Sequence, residues 1–318
     1  MPDQLPVIDL APLSTGRGIS EVAQVFRNAY TEYGFGIVVN HGIAADHLCR
    51  LFEASTAFHA LPRAEKNKLE LNRCHRGFIA NNTSIDVNSP FATIEKPNQS
   101  ESFLVMREDL PDSTPVVEGA YLAGPNQWPE LSGFRATVES AQKSFTCLGR
   151  SLMQVACKAL GVEQSRMMPA FETPTTWLRL LHYPPQPPQS PADLYGSAPH
   201  TDFGCITILA QDDVAGLQVM SPEGSWIDVP PQSGSLVVNI GDMLHRWSNG
   251  VLRSTPHRVI NRSGVDRYSC AFFYDPYVET VVAPLHECVS VERPLKFEAV
   301  HFGDFLRAEL EAAYQQHK

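Results

Sequence analysis

Pro199-His200-Thr201-Asp202-Phe203-Gly204-Cys205-Ile206-Thr207-Ile208-Leu209 is the stretch from which the rest of the chain can be read. Its second half is a short apolar, β-branched run, the pattern of a buried strand. Runs of this kind recur through the second half of the chain, at 176–183, 204–210, 216–220, 225–229, 234–240, 256–261 and 267–274, with turn clusters between them. Short strands at such spacing predict an antiparallel sandwich or barrel. The Pro-rich piece 184–191 reads as a loop.

The first half of the quoted stretch carries chemistry. In extended chain, residues two apart project on one face, so His200 and Asp202 can offer an imidazole and a carboxylate to one ion. An isolated H-x-D more often settles a turn or a strand end. A third ligand must come from elsewhere. His257 lies 55 residues beyond Asp202 (257 − 202), in the strand-like Thr255-Pro256-His257-Arg258-Val259. His245, in Asp242-Met243-Leu244-His245, is its rival. Two imidazoles and one carboxylate on one face of an octahedron leave three positions open. That is the ligand set of non-haem Fe(II) oxygenases, whose open face takes a chelating co-substrate and O2.

The residues downstream of His257 favour it over His245. Ten positions on (267 − 257) comes Arg267-Tyr268-Ser269, leading into Cys270-Ala271-Phe272-Phe273-Tyr274. Arg267 and Ser269 share a face, and a guanidinium beside a hydroxyl makes a fork for a carboxylate. The expectation is a strand paired beside that of His257. Tyr183, ending Leu178-Arg179-Leu180-Leu181-His182-Tyr183, brings a hydroxyl for the same anion; its bland reading is a core tyrosine.

Upstream, residues 5–10 read as an edge strand, 20–33 as a helix with Val22, Val25, Phe26 and Ala29 at helical spacing, 37–39 as a buried strand and 44–58 as a second helix. Residues 72–130 are loop-rich, with short strands around Arg76-Gly77-Phe78 and Glu101-Ser102-Phe103. One long helix spans 131–160, closed by Gly161, and another spans 296–315. The organisation is mainly β with flanking helices: an N-terminal helical and mixed region (1–170) packed on the core (171–280), then a C-terminal helix (281–318), together one structural unit.

Bulk properties narrow the function classes. The 318 residues are 43% hydrophobic and 19% charged, enough apolar matter for a sizeable core. A net charge of −10 with no Lys/Arg run argues against nucleic acid or an anionic membrane as partner. An anionic small molecule remains compatible, since one buried Arg can hold it. The seven cysteines are irregularly spaced with no C-x-x-C, so neither a zinc knuckle nor a disulfide framework is expected. Met1-Pro2-Asp3-Gln4 shows no secretory n-region, and no apolar run reaches the roughly 18 residues of a membrane span. The expectation is a cytoplasmic protein with a small-molecule substrate; oligomeric state is left open.

Further fragments join these: Leu5-Pro6-Val7-Ile8-Asp9-Leu10, Tyr33-Gly34-Phe35-Gly36, Asn40-His41-Gly42, Phe58-His59-Ala60-Leu61-Pro62, His182-Tyr183-Pro184-Pro185, Asp212-Asp213-Val214-Ala215-Gly216-Leu217-Gln218-Val219, Val237-Val238-Asn239-Ile240-Gly241-Asp242 and Ser248-Asn249-Gly250. In this order, over nearly the whole chain, they resemble the isopenicillin N synthase-like branch of the 2-oxoglutarate/Fe(II)-dependent dioxygenases. The resemblance implies a double-stranded β-helix (jelly-roll) core, His200, Asp202 and His257 as iron ligands, and Arg267 with Ser269 as the carboxylate anchor, Tyr183 nearby. It implies Fe(II), 2-oxoglutarate as co-substrate and O2, with oxidation of a substrate C–H bond and release of succinate and CO2. His41, Asp242 and Asn249 match motif positions read as structural. Leu181 and His182 depart from the Asn and Tyr of many plant members, and Phe203 stands at a variable position; both bear on substrate and not on metal.

The 72–106 region and the C-terminal helix are expected to wall the pocket, with Arg76, Phe78, Ser102, Phe203 and Phe273 as substrate-contact candidates. Three readings stand: a 2-oxoglutarate-dependent dioxygenase, a 2-oxoglutarate-independent iron oxidase of the isopenicillin N synthase type, and a non-catalytic jelly-roll binding protein.

Overall fold

Arg267, Ser269, Ala271 and Phe273 alternate with Cys270, Phe272 and Tyr274 along one strand that is covered on both faces. That explains its nearly continuous apolar sequence, because neither face meets water. One face looks into a β-sandwich and the other supports a layer of helices. The computed structural model describes residues 4–16, 18–85, 91, 94–187 and 189–313.

In chain order the strands are β1 (Val7–Asp9), β2 (Phe35–Val39), β3 (Gly77–Ile79), β4 (Glu101–Met106), β5 (Thr175–Tyr183), β6 (Ser197–His200), β7 (Ile206–Gln211), β8 (Leu217–Met220), β9 (Trp226–Asp228), β10 (Ser235–Ile240), β11 (His257–Val259), β12 (Arg267–Asp275), β13 (Val281–Val282) and β14 (Val300–His301). The helices are α1 (Ile19–Glu32), α2 (Ala45–His59), α3 (Arg63–Asn67), α4 (Thr114–Val117), α5 (Phe134–Leu160), α6 (Gln164–Met167), α7 (Asp242–Trp247) and α8 (Phe302–Ala313).

The large sheet runs β1-β2-β10-β7-β12-β5-β4-β3 and the smaller one β6-β11-β8-β9. Only β1–β2 is parallel within them. β1 is an edge strand, as expected, and the N-terminal region supplies both ends of the large sheet. Between the sheets lies an apolar cluster with Phe35, Leu181, Leu217, Val219, Val237 and Val259. The outer face of the large sheet packs against α5: Phe272 stacks on Phe145 with ring centroids 5.4 Å apart. Each such buried aromatic contributes roughly 2–3 kcal/mol by removal from water.

Several expectations need correction. β12 pairs with β5 and β7, not beside β11. It belongs to the facing sheet, so Arg267 meets the site of His257 across the sandwich interior. The last helix begins at Phe302, because Val300–His301 pairs with Val281–Val282; positions 314 and 315 of the expected helix lie outside the described residues. So do residues 1–3 and residue 188 of the Pro-rich connection. No helix among the described residues is long and apolar enough to cross a membrane.

Candidate metal centre and cavity

His200 is the last residue of β6 and stands directly opposite His257, the first of β11. Asp202 lies just past the strand end rather than within it. Its Oδ1 is 3.8 Å from His200 Nε2 and 3.7 Å from His257 Nε2. One ligand atom from each of the three lies within 4.8 Å of the others. His245, the rival, is on α7, where its Nδ1–H donates to the Leu252 carbonyl at 2.6 Å and its ring edges Phe297.

The surroundings fix each donor. His200 Nδ1–H donates to the Ala198 carbonyl at 2.7 Å, and His257 Nδ1–H to the Thr255 carbonyl at 3.3 Å. A carbonyl accepts only, so the proton sits on Nδ1 and each Nε2 keeps its lone pair for a metal. Asp202 Oδ2 accepts from Thr207 Oγ1 (2.5 Å) and Asn239 Nδ2 (2.6 Å), leaving Oδ1 toward the imidazoles. Burial alone raises the Asp202 carboxyl pKa. The two imidazoles and the two hydrogen bonds outweigh it and hold the group below the usual carboxylate range.

The loop bearing Asp202 is fastened by main chain. Asp242 N–H donates to the Asp202 carbonyl (2.8 Å), Met243 N–H to that of Gly204 (2.9 Å) and Gly241 N–H to that of Cys205 (2.9 Å). The first N–H groups of α7, which have no partner within their own helix, are thereby satisfied. Asp275 Oδ1 accepts the Cys205 N–H at 2.7 Å from below. Burial pushes the Asp275 carboxyl up to about 7 against the hydrogen bonds from Cys205 and Trp177. Gly204 is required here, since a Cβ would overlap Asp275 Oδ1.

Beyond the triad, an inner chamber reaches to Arg267, Ser269 and Tyr183. Arg267 is fully buried; its Nε–H donates to the Val214 carbonyl (3.1 Å) and its Nη2 to Gln211 Oε1 (2.9 Å). The guanidinium lies over the Tyr183 ring, 4.9 Å from its centroid. Arg267 Nη1 and Ser269 Oγ are both buried without a hydrogen-bond partner. Two orphaned polar atoms at the closed end of a chamber that opens on three metal-type ligands fit an anion that spans the two. The donor set fits Fe(II) with three positions free.

An outer chamber of about 930 Å³, counting its open mouth, shares His200, Asp202, Arg179, Leu181, Ser197 and Phe273 with the inner one. Phe203 and Phe273 line it, with Trp177, Asn98 and, from α8, Leu306 and Leu310. Ser84, Asn98, Ser100 and Leu104 come from the loop-rich region. Ser102 is fully buried and acts on the cavity through Arg179, whose Nε–H it accepts at 2.9 Å. Arg76 and Phe78 line neither chamber. Arg76 is a buried staple whose Nη atoms donate to the carbonyls of Cys74, Leu122 and Arg107, beside Asp109. Phe78 packs in an aromatic cluster with Phe58 on the far face of the sheet.

Thr207, Asn239, Trp177, Arg179 and Asp275 belong to the site although sequence reasoning gave none of them a role there, even where the fragments it quoted contain Thr207, Asn239 and Arg179. A signal existed for Asn239 and Arg179, polar residues inside apolar runs. His41 and Asn249 hold turns: Ile43 N–H donates to His41 Nδ1, and Asn249 (φ 50°) bridges to Cys288, Pro294 and Lys296.

Comparison with known proteins agrees with this architecture. Residues 174–276 match the 2OG-Fe(II) oxygenase superfamily, and residues 5–131 the family described as non-haem dioxygenase in morphine synthesis N-terminal. The chain is similar to the 2-oxoglutarate-Fe(II) type oxidoreductase hxnY of Emericella nidulans, 32% identical over 324 residues, covering 98% of this chain and 91% of that protein. It is also similar to homoarginine-6-hydroxylase 2-ODD-233 of Oryza sativa subsp. japonica, 32% identical over 329 residues and 95% of each. Among solved structures, a full-length Neurospora crassa protein in complex with alpha-KG and thymine superposes with a TM-score of 0.85 at 28% identity, covering 98% of this chain and 97% of that one. These relatives give no support to a 2-oxoglutarate-independent oxidase or a non-catalytic binding protein. The chain belongs to the 2OG-Fe(II) oxygenase superfamily and is an Fe(II)- and 2-oxoglutarate-dependent dioxygenase on a double-stranded β-helix core.

Proposed function

We propose that His200, Asp202 and His257 hold the iron, that Arg267 and Ser269 bind the distal carboxylate of 2-oxoglutarate, and that a small molecule is oxidised in the outer chamber. The observation that carries this is the pair of orphaned buried atoms, Arg267 Nη1 and Ser269 Oγ, at the far end of the chamber that the triad opens into. Tyr183 supports the guanidinium through its ring face.

When bound, Fe(II) with 2-oxoglutarate and O2 supplies the oxidant for C–H cleavage, with succinate and CO2 as co-products. The chain's residues supply position. The Nδ1 bonds to main-chain carbonyls fix both rings with Nε2 aimed at the ion. Thr207 and Asn239 hold Asp202 to one free oxygen. Phe203, Phe273, Trp177 and the α8 leucines wall the reacting bond from water. A net charge of −10 without a basic run favours a small molecule over a nucleic-acid strand as substrate. The seven cysteines are free thiols, which agrees with a reducing compartment.

The test is anaerobic titration of the apo protein with Fe(II), with and without 2-oxoglutarate. A visible charge-transfer band appearing only when both are present supports the assignment. Iron binding without such a band would remove it.

A further inference from the structure

Arg179 stands where the two chambers meet, and its place follows from register. On β5, residues 175, 177, 179, 181 and 183 share the face turned into the sandwich. Across the strands Arg179 is opposite Ala271 on β12 and Leu104 on β4. The methyl of Ala271 leaves the guanidinium room over the cavity floor. Ser102, fully buried, accepts its Nε–H at 2.9 Å, which fixes the plane of the group.

The charge has no counterpart. Among the described residues, no carboxylate lies within ion-pair distance of Arg179, and its terminal nitrogens form no hydrogen bond. The two acids of the outer chamber are engaged elsewhere. Asp202 belongs to the triad. Asp275 accepts from the Cys205 N–H and the Trp177 indole. It is in register with Thr175, four residues along β5 from Arg179, about 13 Å of strand.

Formal charges point the same way. Fe(II) (+2), Asp202 (−1), 2-oxoglutarate (−2) and Arg267 (+1) sum to zero in the loaded inner site. Arg179 adds an uncompensated positive charge at its outer edge. A half-buried guanidinium without a counter-ion is costly, and its planar fork matches a carboxylate in two parallel hydrogen bonds. Three aromatic and three leucine side chains, Trp177, Phe203, Phe273, Leu104, Leu306 and Leu310, form the apolar part of the adjoining wall, with Asn98, Thr201 and three serines as its uncharged polar part.

We infer that Arg179 anchors the substrate, and that the substrate is a small aromatic acid whose one carboxylate seats on this guanidinium while its ring lies among the chamber's aromatic side chains. The inference rests on the assignment of Arg267 to 2-oxoglutarate, since otherwise Arg179 has a second claimant.

The test uses arylacetic, arylpropionic and cinnamic acids, each beside its primary amide. They are titrated calorimetrically into the anaerobic Fe(II)/2-oxoglutarate-loaded protein as wild type, Arg179→Met and Arg179→Lys. The wild type is expected to bind at least one acid ~30-fold or more tighter than its amide, the scale of a charged hydrogen bond. Arg179→Met removes that preference and Arg179→Lys keeps part of it. The 2-oxoglutarate charge-transfer band forms at the same co-substrate concentration in all three. Equal binding of acid and amide, or binding of neither, overturns the inference. So does weaker 2-oxoglutarate binding in Arg179→Met, which would give Arg179 to the co-substrate. Absence of the band in wild type would instead count against the Arg267 assignment, and the calorimetric acid-to-amide ratio still decides the role of Arg179.

Discussion

His257 faces His200 across the antiparallel β6–β11 pair, ring centroids 4.3 Å apart, so the two proposed imidazole ligands, far apart in sequence, become cross-strand neighbours. Strand pairing thereby sets the spacing of the two imidazoles before any metal arrives. Phe35, edge-on to His257 at 5.2 Å, adds a packed wall behind it. Replacing His257 with Ala is expected to abolish tight Fe(II) binding with little change in fold. Asn239→Ala, which frees Asp202 Oδ2 from one partner, is expected to weaken iron by about 10–100-fold, the usual effect of losing a supporting hydrogen bond. Iron titrations of both variants, with circular dichroism for the fold, give the ranking. Unchanged iron affinity in Asn239→Ala would mean that Asp202 is held by something other than its amide partner.

Arg267 is expected to act on the co-substrate alone. Arg267→Ala removes a charge-assisted hydrogen bond and should weaken 2-oxoglutarate by about 2–3 kcal/mol, while Fe(II) affinity stays within a few fold. Arg267→Lys keeps the charge and loses the fork, so it falls between. If iron binding collapsed with the Ala variant, Arg267 would be a structural residue. Its bonds to the Val214 carbonyl and Gln211 make that outcome a real competitor.

Legibility in the sequence differed by element. β5, β7, β10 and β12 are long apolar runs and declared themselves. β6 did not: Ser197-Ala198-Pro199-His200 has no apolar pattern, and its proline is tolerated because the strand lies on a sheet edge. α7 is six residues, too short for helical periodicity, and is held by its contacts with the metal loop. The residues proposed for metal and anion were readable as candidates because each sits in a compact motif. The cavity walls were not, since Leu306, Asn98 and Trp177 meet only after distant segments fold together. Arg76 misled because a charge in an apolar fragment suggests a ligand contact, whereas here it ties loop carbonyls together.

A buried ion network on the other face of β4 and β5 sets a pH dependence. Lys66 Nζ contacts both Glu101 oxygens (2.8 and 2.9 Å), and His182 bridges Glu101 (3.0 Å) and Asp266 (2.8 Å). Burial disfavours the charged form of His182, but the two carboxylates outweigh it and raise its pKa above 6.5. Burial likewise opposes the Glu101 carboxylate, yet His182 and Lys66 bring it down to about 2 from 4.5. The raised His182 stabilises fully below 6.5 and loses that contribution as pH rises through its folded value. The lowered Glu101 stabilises above 4.5 and loses it as pH falls toward 2. Urea unfolding should therefore show the network strongest between these limits, and His182→Gln should flatten the alkaline decline. Lys66→Met, which strips a buried carboxylate of its main partner, should cost about 3–5 kcal/mol. An unchanged alkaline slope in His182→Gln would assign the decline to other groups.

Gly204 tests whether the metal loop depends on the buried carboxylate beneath it. A methyl group there would overlap Asp275 Oδ1, and the loop cannot rise to avoid it because its carbonyls are bonded to the start of α7. Gly204→Ala is therefore expected to lose iron binding and several kcal/mol of stability through forced displacement of a packed segment. Gly224 offers the contrast. Its φ is 84°, but nothing lies within 4 Å of where an added methyl would sit, so Gly224→Ala should cost only the left-handed strain of about 1 kcal/mol and leave iron affinity intact. Thermal melts and Fe(II) titrations on the two variants separate overlap from backbone strain. Unchanged iron affinity and stability in Gly204→Ala would show that the loop or Asp275 can move to admit the methyl group.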